Sequence, residues 1–207
     1  MSFENHYYKS FTKNIELTEF FITKKKTTKE FFFDELIRNF NLKLSDTHNR
    51  LFFIGNGASA AFSNHMTLDW QKNAKVSAYS LSDSCYITAL GNDQGFDDIF
   101  LEYIKLNNIS KNDFVIATSS SGNSQNIINP LSYCKENEIP TFSLTGLNKD
   151  NIALDISDFG IYVPAMTYGI VECIHQYFHH LLLDKFMGVA EWNKTEPQNM
   201  DIKNFSL

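Results

Sequence analysis

The sequence predicts an α/β protein, a doubly wound five-stranded parallel sheet flanked by helices. Two observations predict it. From Leu51 onward short apolar runs alternate with stretches of helical periodicity, the pattern of a parallel sheet covered on both faces. Two of the strand-to-helix turns, 55–59 and 119–124, are rich in glycine, serine and asparagine, as ligand-binding turns at the strand C-terminal ends are.

Taken in order, residues 15–45 read as helical. Ile15, Leu17, Phe20, Phe21 and Ile22 are followed by Phe31, Phe32, Phe33, Leu36, Ile37 and Phe40. This is more apolar surface than one face of a helical hairpin uses on its own chain, so residues 1–48 are expected to form an oligomerisation segment. Residues 49–186 form the main domain. Its strands are expected at Leu51–Ile54, Val76–Ser80, Phe114–Thr118, Thr141–Leu144 and Gly160–Val163. Its helices are expected near 58–73, 97–107, 123–137, 151–156 and 168–186. Beyond Met187 the periodicity is lost, and 187–207 reads as a loose extension.

Composition narrows the function classes. With 207 residues the chain can bury a full core, and a net charge of −6 gives no basis for a nucleic-acid surface. No apolar run approaches the ~20 residues that span a bilayer, so no membrane partner is expected. Cys85, Cys134 and Cys173 are odd in number and widely spaced, with no CxxC. They suit buried thiols in a reducing cytoplasm better than a disulfide framework.

The chemistry concentrates in the two turns. Ser119-Ser120-Ser121-Gly122-Asn123-Ser124 lies between an apolar strand and a helical run containing Ile127, Ile128 and Leu131. Hydroxyls and free backbone N–H groups at a helix N-terminus suit a dianionic phosphate. The P-loop lysine is missing, which points to a phosphate monoester held by neutral donors; a serine-rich turn with a capped helix is the plain alternative. In Gly55-Asn56-Gly57-Ala58-Ser59, the glycines allow close backbone approach and Asn56 and Ser59 place polar groups at the helix start. Further along, His65 and Asp69 stand at i and i+4, on one helix face. Glu172 and His175 share a face at i and i+3, with His179 and His180 a turn later, and one of that adjacent pair must turn away. Two helices bearing imidazoles and carboxylates could hold a divalent ion such as Zn²⁺.

Together, 55–60 and 119–124 resemble the sugar-isomerase (SIS) family, most closely its phosphoheptose isomerases. The segment Thr88–Phe96, which contains Asn92-Asp93-Gln94-Gly95, and Gly169–His180 add to the resemblance, which runs from about residue 15 to 186. It implies a flavodoxin-like SIS fold and a phosphosugar aldose–ketose isomerase. The reaction implied is sedoheptulose 7-phosphate to heptose 7-phosphate through an enediol, for surface-polysaccharide synthesis. The resemblance also implies a homotetramer, or a dimer, with active sites shared between chains.

Carried over by position, Ser119, Ser120, Ser121 and Ser124 would hold the phosphate. Asn56, Gly57 and Ser59 would contact the sugar hydroxyls or the phosphate, Asp93 would bind along the sugar chain, and Glu172 would belong to the same substrate site. Asp69 would be the proton-transfer base with His180 as its catalytic partner. His65, Asp69, Glu172 and His180 would bind zinc, with His175 as an alternative ligand. Three departures stand out: Asp69 where the family has Glu, Glu172 where it has Gln, and Trp70–Lys75 in place of an Arg-containing segment. Asp69 withdraws the carboxylate by about one methylene, roughly 1.5 Å. Lys72 offers a substitute charge or is a solvated helix end. These departures keep a second reading open, a non-catalytic SIS protein that senses phosphosugars or acts through protein contacts like a replication-initiator-associating relative.

Overall fold

A computed structural model describes residues 1–46 and 48–193. The chain opens with α1 (Phe3–Glu16), then β1 (Glu19–Ile22), β2 (Lys25–Thr27) and α2 (Lys29–Leu44). There follow β3 (Arg50–Gly55), α3 (Ala58–Lys72), β4 (Ser77–Ser80), α4 (Ser84–Asp93) and, after a 3₁₀ turn at Phe96–Asp98, α5 (Ile99–Leu106). The second half runs β5 (Phe114–Ser119), α6 (Gln125–Glu136), β6 (Thr141–Gly146), α7 (Ile152–Ile156), β7 (Phe159–Val163) and α8 (Tyr168–Met187).

All seven strands form one sheet in the order β2-β1-β7-β6-β5-β3-β4. The five strands β4-β3-β5-β6-β7 are parallel, so the expected core is present. Renumbered among themselves they run 2-1-3-4-5, the flavodoxin order. The sheet is nevertheless seven-stranded and mixed rather than five-stranded and parallel. β1 pairs antiparallel with β7, and β2 antiparallel with β1.

This hairpin replaces helix at the start of the 15–45 stretch. Phe20 lies opposite Ile161 in the register and contacts Phe32, Phe33 and Phe178, so it is buried against the core from the sheet edge. Covering β7 also removes a bare row of hydrogen-bonding groups. The two-residue turn is Thr23-Lys24, both at positive φ (45° and 69°). Such turns are normally marked by Asn or Gly, so the sequence carries no hairpin signal.

β3 illustrates how the two layers form. Leu51 and Phe53 face one core, with α2, α3 and α8, while Phe52 and Ile54 face the other, with α5 and α6. Phe32, Phe33, Leu36 and Phe40 of α2 are all buried within their own chain. The phenylalanines taken as interface from sequence are therefore mostly core, although Phe31 of α2 stays exposed, and α1 exposes Phe3, Tyr7 and Tyr8. A second correction concerns the thiols: Cys134 is buried, but Cys85 and Cys173 are exposed and free. Of the expected loose extension, 194–207 lies outside the described residues. Its first residue, Met187, is still in α8, which a left-handed Gly188 ends, and Glu191–Asn193 form a short 3₁₀ turn.

Candidate active site at the β3–β5 crevice

β3 and β5 are neighbours in the sheet, but β3 leads to α3 on one face and β5 to α6 on the other. This is the topological switch point, where a doubly wound sheet opens a crevice beyond its strand C-terminal ends. Both glycine- and serine-rich turns sit at this point.

In the first turn, Gly57 has φ +56° and ψ −123°, backbone that a side chain strongly disfavours. That kink lets the carbonyl of Asn56 accept the amide hydrogens of Ser59 (2.9 Å) and Ala60, starting α3. Ser59 is buried at the first turn of the helix. The side chains of Asn56 and Asn126 exchange two hydrogen bonds, each Nδ2 donating to the other's Oδ1 at 2.9 Å.

The serine turn is held from outside. Ser120 accepts from Gly146 N–H at 3.0 Å, and the Gly122 carbonyl accepts from Ala153 N–H at 2.9 Å. Asn123 Oδ1 accepts from Ile152 N–H at 3.0 Å. Gly122 donates to the Ser119 hydroxyl oxygen (3.2 Å), and Asn123 N–H donates to the Ser121 hydroxyl oxygen (3.3 Å). Both hydroxyls therefore keep their own protons for another acceptor. Ser124 is the N-cap residue of α6, yet its hydroxyl makes no capping hydrogen bond, so the plain capped-helix alternative does not describe it. The first N–H groups of α6 have no partner within a helix. An acceptor of negative charge fits these donors, and the positive end of the α6 dipole favours it.

Along α3, His65 and Asp69 face α8. His65 Nε2 lies 3.3 Å from Asp69 Oδ2, and the His65 and His180 rings are 5.4 Å apart. One ligand atom from each of His65, Asp69 and His180 lies within 4.8 Å of the others. Two imidazoles and a carboxylate are the donors of a zinc site that leaves a coordination position open. Glu172 does not join them; it lies eight residues before His180 on α8, about 12 Å along the axis. His175 does not join them either. It is fully buried and its Nε2 meets the Thr145 carbonyl at 3.0 Å. A carbonyl only accepts, so Nε2 carries the hydrogen and Nδ1 is left buried without a partner. Asp93 ends α4, exposed and bonded to Asn92, and its segment is tied to α6 through Asn129 and Asp98. Lys72 is exposed at the end of α3.

Of the adjacent pair, His179 turns inward. Its Nε2 shares a 2.9 Å hydrogen bond with the Thr118 hydroxyl, directly beneath the serine turn. Burial holds both inner histidines neutral: His175 is pushed down to about 4, and His179 to about 3 with help from its neighbours His175 and His180. The i, i+4 pair fastens α8 to the ends of β5 and β6. The helix that carries His180 is thereby fixed relative to the serines. Neither this role nor the Asn56–Asn126 pair was read from sequence. The 175/179 spacing was visible, whereas the asparagine partners stand 70 positions apart.

The SIS domain family profile matches residues 42–146, half of the chain and both turns. The chain belongs to the SIS domain family. Its relatives within the family include phosphoheptose isomerases. That of Aliarcobacter butzleri is 30% identical over 140 residues, 65% of this chain and 73% of the relative. Phosphoheptose isomerase 2 of Campylobacter jejuni is 28% identical over 156 residues, 71% of this chain and 77% of the relative. A solved phosphoheptose isomerase structure from Francisella tularensis superposes with a TM-score of 0.71 at 21% identity, covering 90% of this chain and 98% of that one. The last likeness speaks for the fold. Among the described residues, no helix is long and apolar enough to cross a membrane.

Proposed function

We propose that the protein is a phosphosugar aldose–ketose isomerase that converts sedoheptulose 7-phosphate to a heptose 7-phosphate in the cytoplasm. The observation that carries this reading is the serine turn. The Ser119 and Ser121 hydroxyls accept from the backbone and keep their own protons, and Ser124 leaves its hydroxyl uncommitted at the start of α6, the helix whose Asn126 bonds Asn56. Membership among phosphoheptose-isomerase-like SIS proteins supplies the reaction class.

In this reading Ser119, Ser120, Ser121 and Ser124 hold the phosphate, while Asn56, Gly57 and Ser59 meet the sugar hydroxyls, with Asp93 and Glu172 completing the sugar site. Asp69 removes a proton from C1 of the ketose as His180 gives one to O2, forming the enediol. His180 then takes the proton from O1 as Asp69 returns its own to C2, leaving the aldehyde at C1. Each group ends as it began, as general acid–base catalysis requires. Where Zn²⁺ is bound, His65, Asp69 and His180 would hold it instead of moving these protons themselves, and the ion would supply a Lewis acid for the sugar oxygens.

Residues 1–48 are read as the oligomerisation segment of a homotetramer or dimer. The support is α1, which buries no residue and exposes Phe3, Tyr7 and Tyr8 along an apolar groove that reaches Cys173. Light scattering at micromolar concentration should show an oligomer; a monomer refutes that part.

Incubation with sedoheptulose 7-phosphate, with and without Zn²⁺, tests the enzyme reading through the appearance of aldose. Binding of the sugar phosphate with no turnover in folded, metal-loaded protein would favour the non-catalytic sensor.

A further inference from the structure

We infer that Asn126 is a positioning residue, one that holds the Asn56 amide in place for the sugar. The inference rests on the sugar-phosphate reading above. Asn126 is the second residue of α6 and is only 2% exposed. With Asn56 it forms a closed amide pair, two N–H···O bonds of 2.9 Å in opposite directions. This pair bridges the two turns that carry the phosphate and sugar groups.

An asparagine amide offers two N–H donors and two oxygen lone pairs. The pair uses one donor and one lone pair of Asn56, leaving one of each for a ligand. It also couples the two amides, so neither turns over without the other. Turning Asn56 over by itself would set N–H against N–H and oxygen against oxygen, so both bonds would be lost and two repulsions gained. The Asn56 backbone is fixed as well, because its carbonyl accepts the first amide hydrogens of α3. Asn56 therefore meets a substrate with one donor and one acceptor held side by side by Asn126. A sugar hydroxyl can serve either group, but only with the hydroxyl at the matching carbon and configuration. A site built on such a fixed donor–acceptor pattern discriminates strongly against substrates that leave it unpaired. Asn126 thus shapes selection among phosphosugars without touching the sugar itself.

The test compares two ligands, inorganic phosphate and sedoheptulose 7-phosphate, by calorimetry on Asn126→Ala, Asn126→Asp, Asn56→Ala and the double variant Asn56→Ala/Asn126→Ala. All of these keep the backbone N–H groups of α6. Asn126→Asp keeps the side-chain shape while removing the hydrogen it donates, and it carries the comparison where Asn126→Ala does not fold. Sugar-phosphate affinity should fall about tenfold or more relative to phosphate affinity in both Asn126 variants, with phosphate affinity itself within twofold of the unaltered protein in Asn126→Ala; the charge that Asn126→Asp adds lowers both ligands alike, so that variant is read by the ratio. In the Asn56→Ala background, Asn126→Ala should add less than a twofold loss, because its effect runs through Asn56. Parallel losses for both ligands, unchanged sugar-phosphate affinity, or losses that multiply in the double variant each overturn the inference. An unaltered protein that binds the sugar phosphate no better than phosphate overturns the sugar-site reading, and this inference with it.

Discussion

Replacing Gly122 by alanine tests how the phosphate turn is built. Gly122 sits at φ +64°, and a Cβ there would lie 2.1 Å from Oδ1 and 2.4 Å from Cγ of Asn151. Asn151 is buried and cannot swing into solvent. Its Oδ1 caps α7 by accepting from Leu154 N–H at 3.0 Å, and its Nδ2 donates to the Asn148 carbonyl at 2.8 Å. The left-handed backbone alone costs an alanine ~1–2 kcal/mol. Displacing the cap costs about 1 kcal/mol. Leaving the buried Asn151 groups poorly paired costs a further ~1–3 kcal/mol. Together they make about 4 kcal/mol, a large share of the ~5–15 kcal/mol that holds a domain folded.

Gly188 provides the control. It is also left-handed, at φ +70°, but a Cβ there meets nothing within 4 Å. Gly188→Ala should therefore show the backbone cost alone, ~1–2 kcal/mol. Urea unfolding at one fixed protein concentration separates the two, with a midpoint drop of more than about 1 M for Gly122→Ala and well under that for Gly188→Ala. Equal drops would refute the steric argument, because they would mean that Asn151 yields freely.

Three further outcomes follow from the site. Ser121→Ala removes a hydroxyl whose oxygen accepts from Asn123 and whose proton is free, so phosphosugar binding should weaken by ~1–3 kcal/mol by calorimetry; unchanged affinity would make the serine structural. Asp69→Asn keeps the shape but removes the anionic donor of the His65–Asp69–His180 group. Its Zn²⁺ affinity in a competition titration should fall at least about tenfold, and an undiminished affinity would place any metal elsewhere. His175 is held neutral down to about 4 in the folded chain against an ordinary value of 6.5. Between those values the unfolded state binds the extra proton, so stability is full above pH ~6.5 and is lost as pH falls toward 4, with a slope reaching ~1.4 kcal/mol per pH unit. His175→Gln should flatten that part of the urea-midpoint profile; an unaltered slope would show that His175 is not responsible.

Much of the fold is legible because its signals are local. β3, β5 and β7 carry short apolar runs, and β6 alternates Phe142 and Leu144 with small hydroxyl residues; all four are almost wholly buried and stand out from the polar turns around them. Elements whose stability is borrowed from elsewhere are not legible. The β1–β2 hairpin turns on Thr23-Lys24, which resembles no turn signal, and is held by Phe20 packing on α2 and α8. α4 has no buried residue and contains Thr88, Gly91 and Asn92, so its sequence lacks an apolar stripe. Among the site residues, the serine turn shows in sequence because adjacent residues compose it. The choice between His179 and His180 does not show, since successive helix residues point about 100° apart and the packing angle of α8 decides which one is inward.

Sequence by itself determined the parallel core, the two turns at its C-terminal edge and the reaction class they resemble, because these depend on neighbours in the chain. Tertiary structure alone decided that Phe20, Phe32, Phe33 and Phe40 are core, that His65, Asp69 and His180 gather without Glu172, and that Asn126 grips Asn56. Those outcomes depend on contacts between distant segments, which exist only once the sheet has brought α3, α6 and α8 to their places.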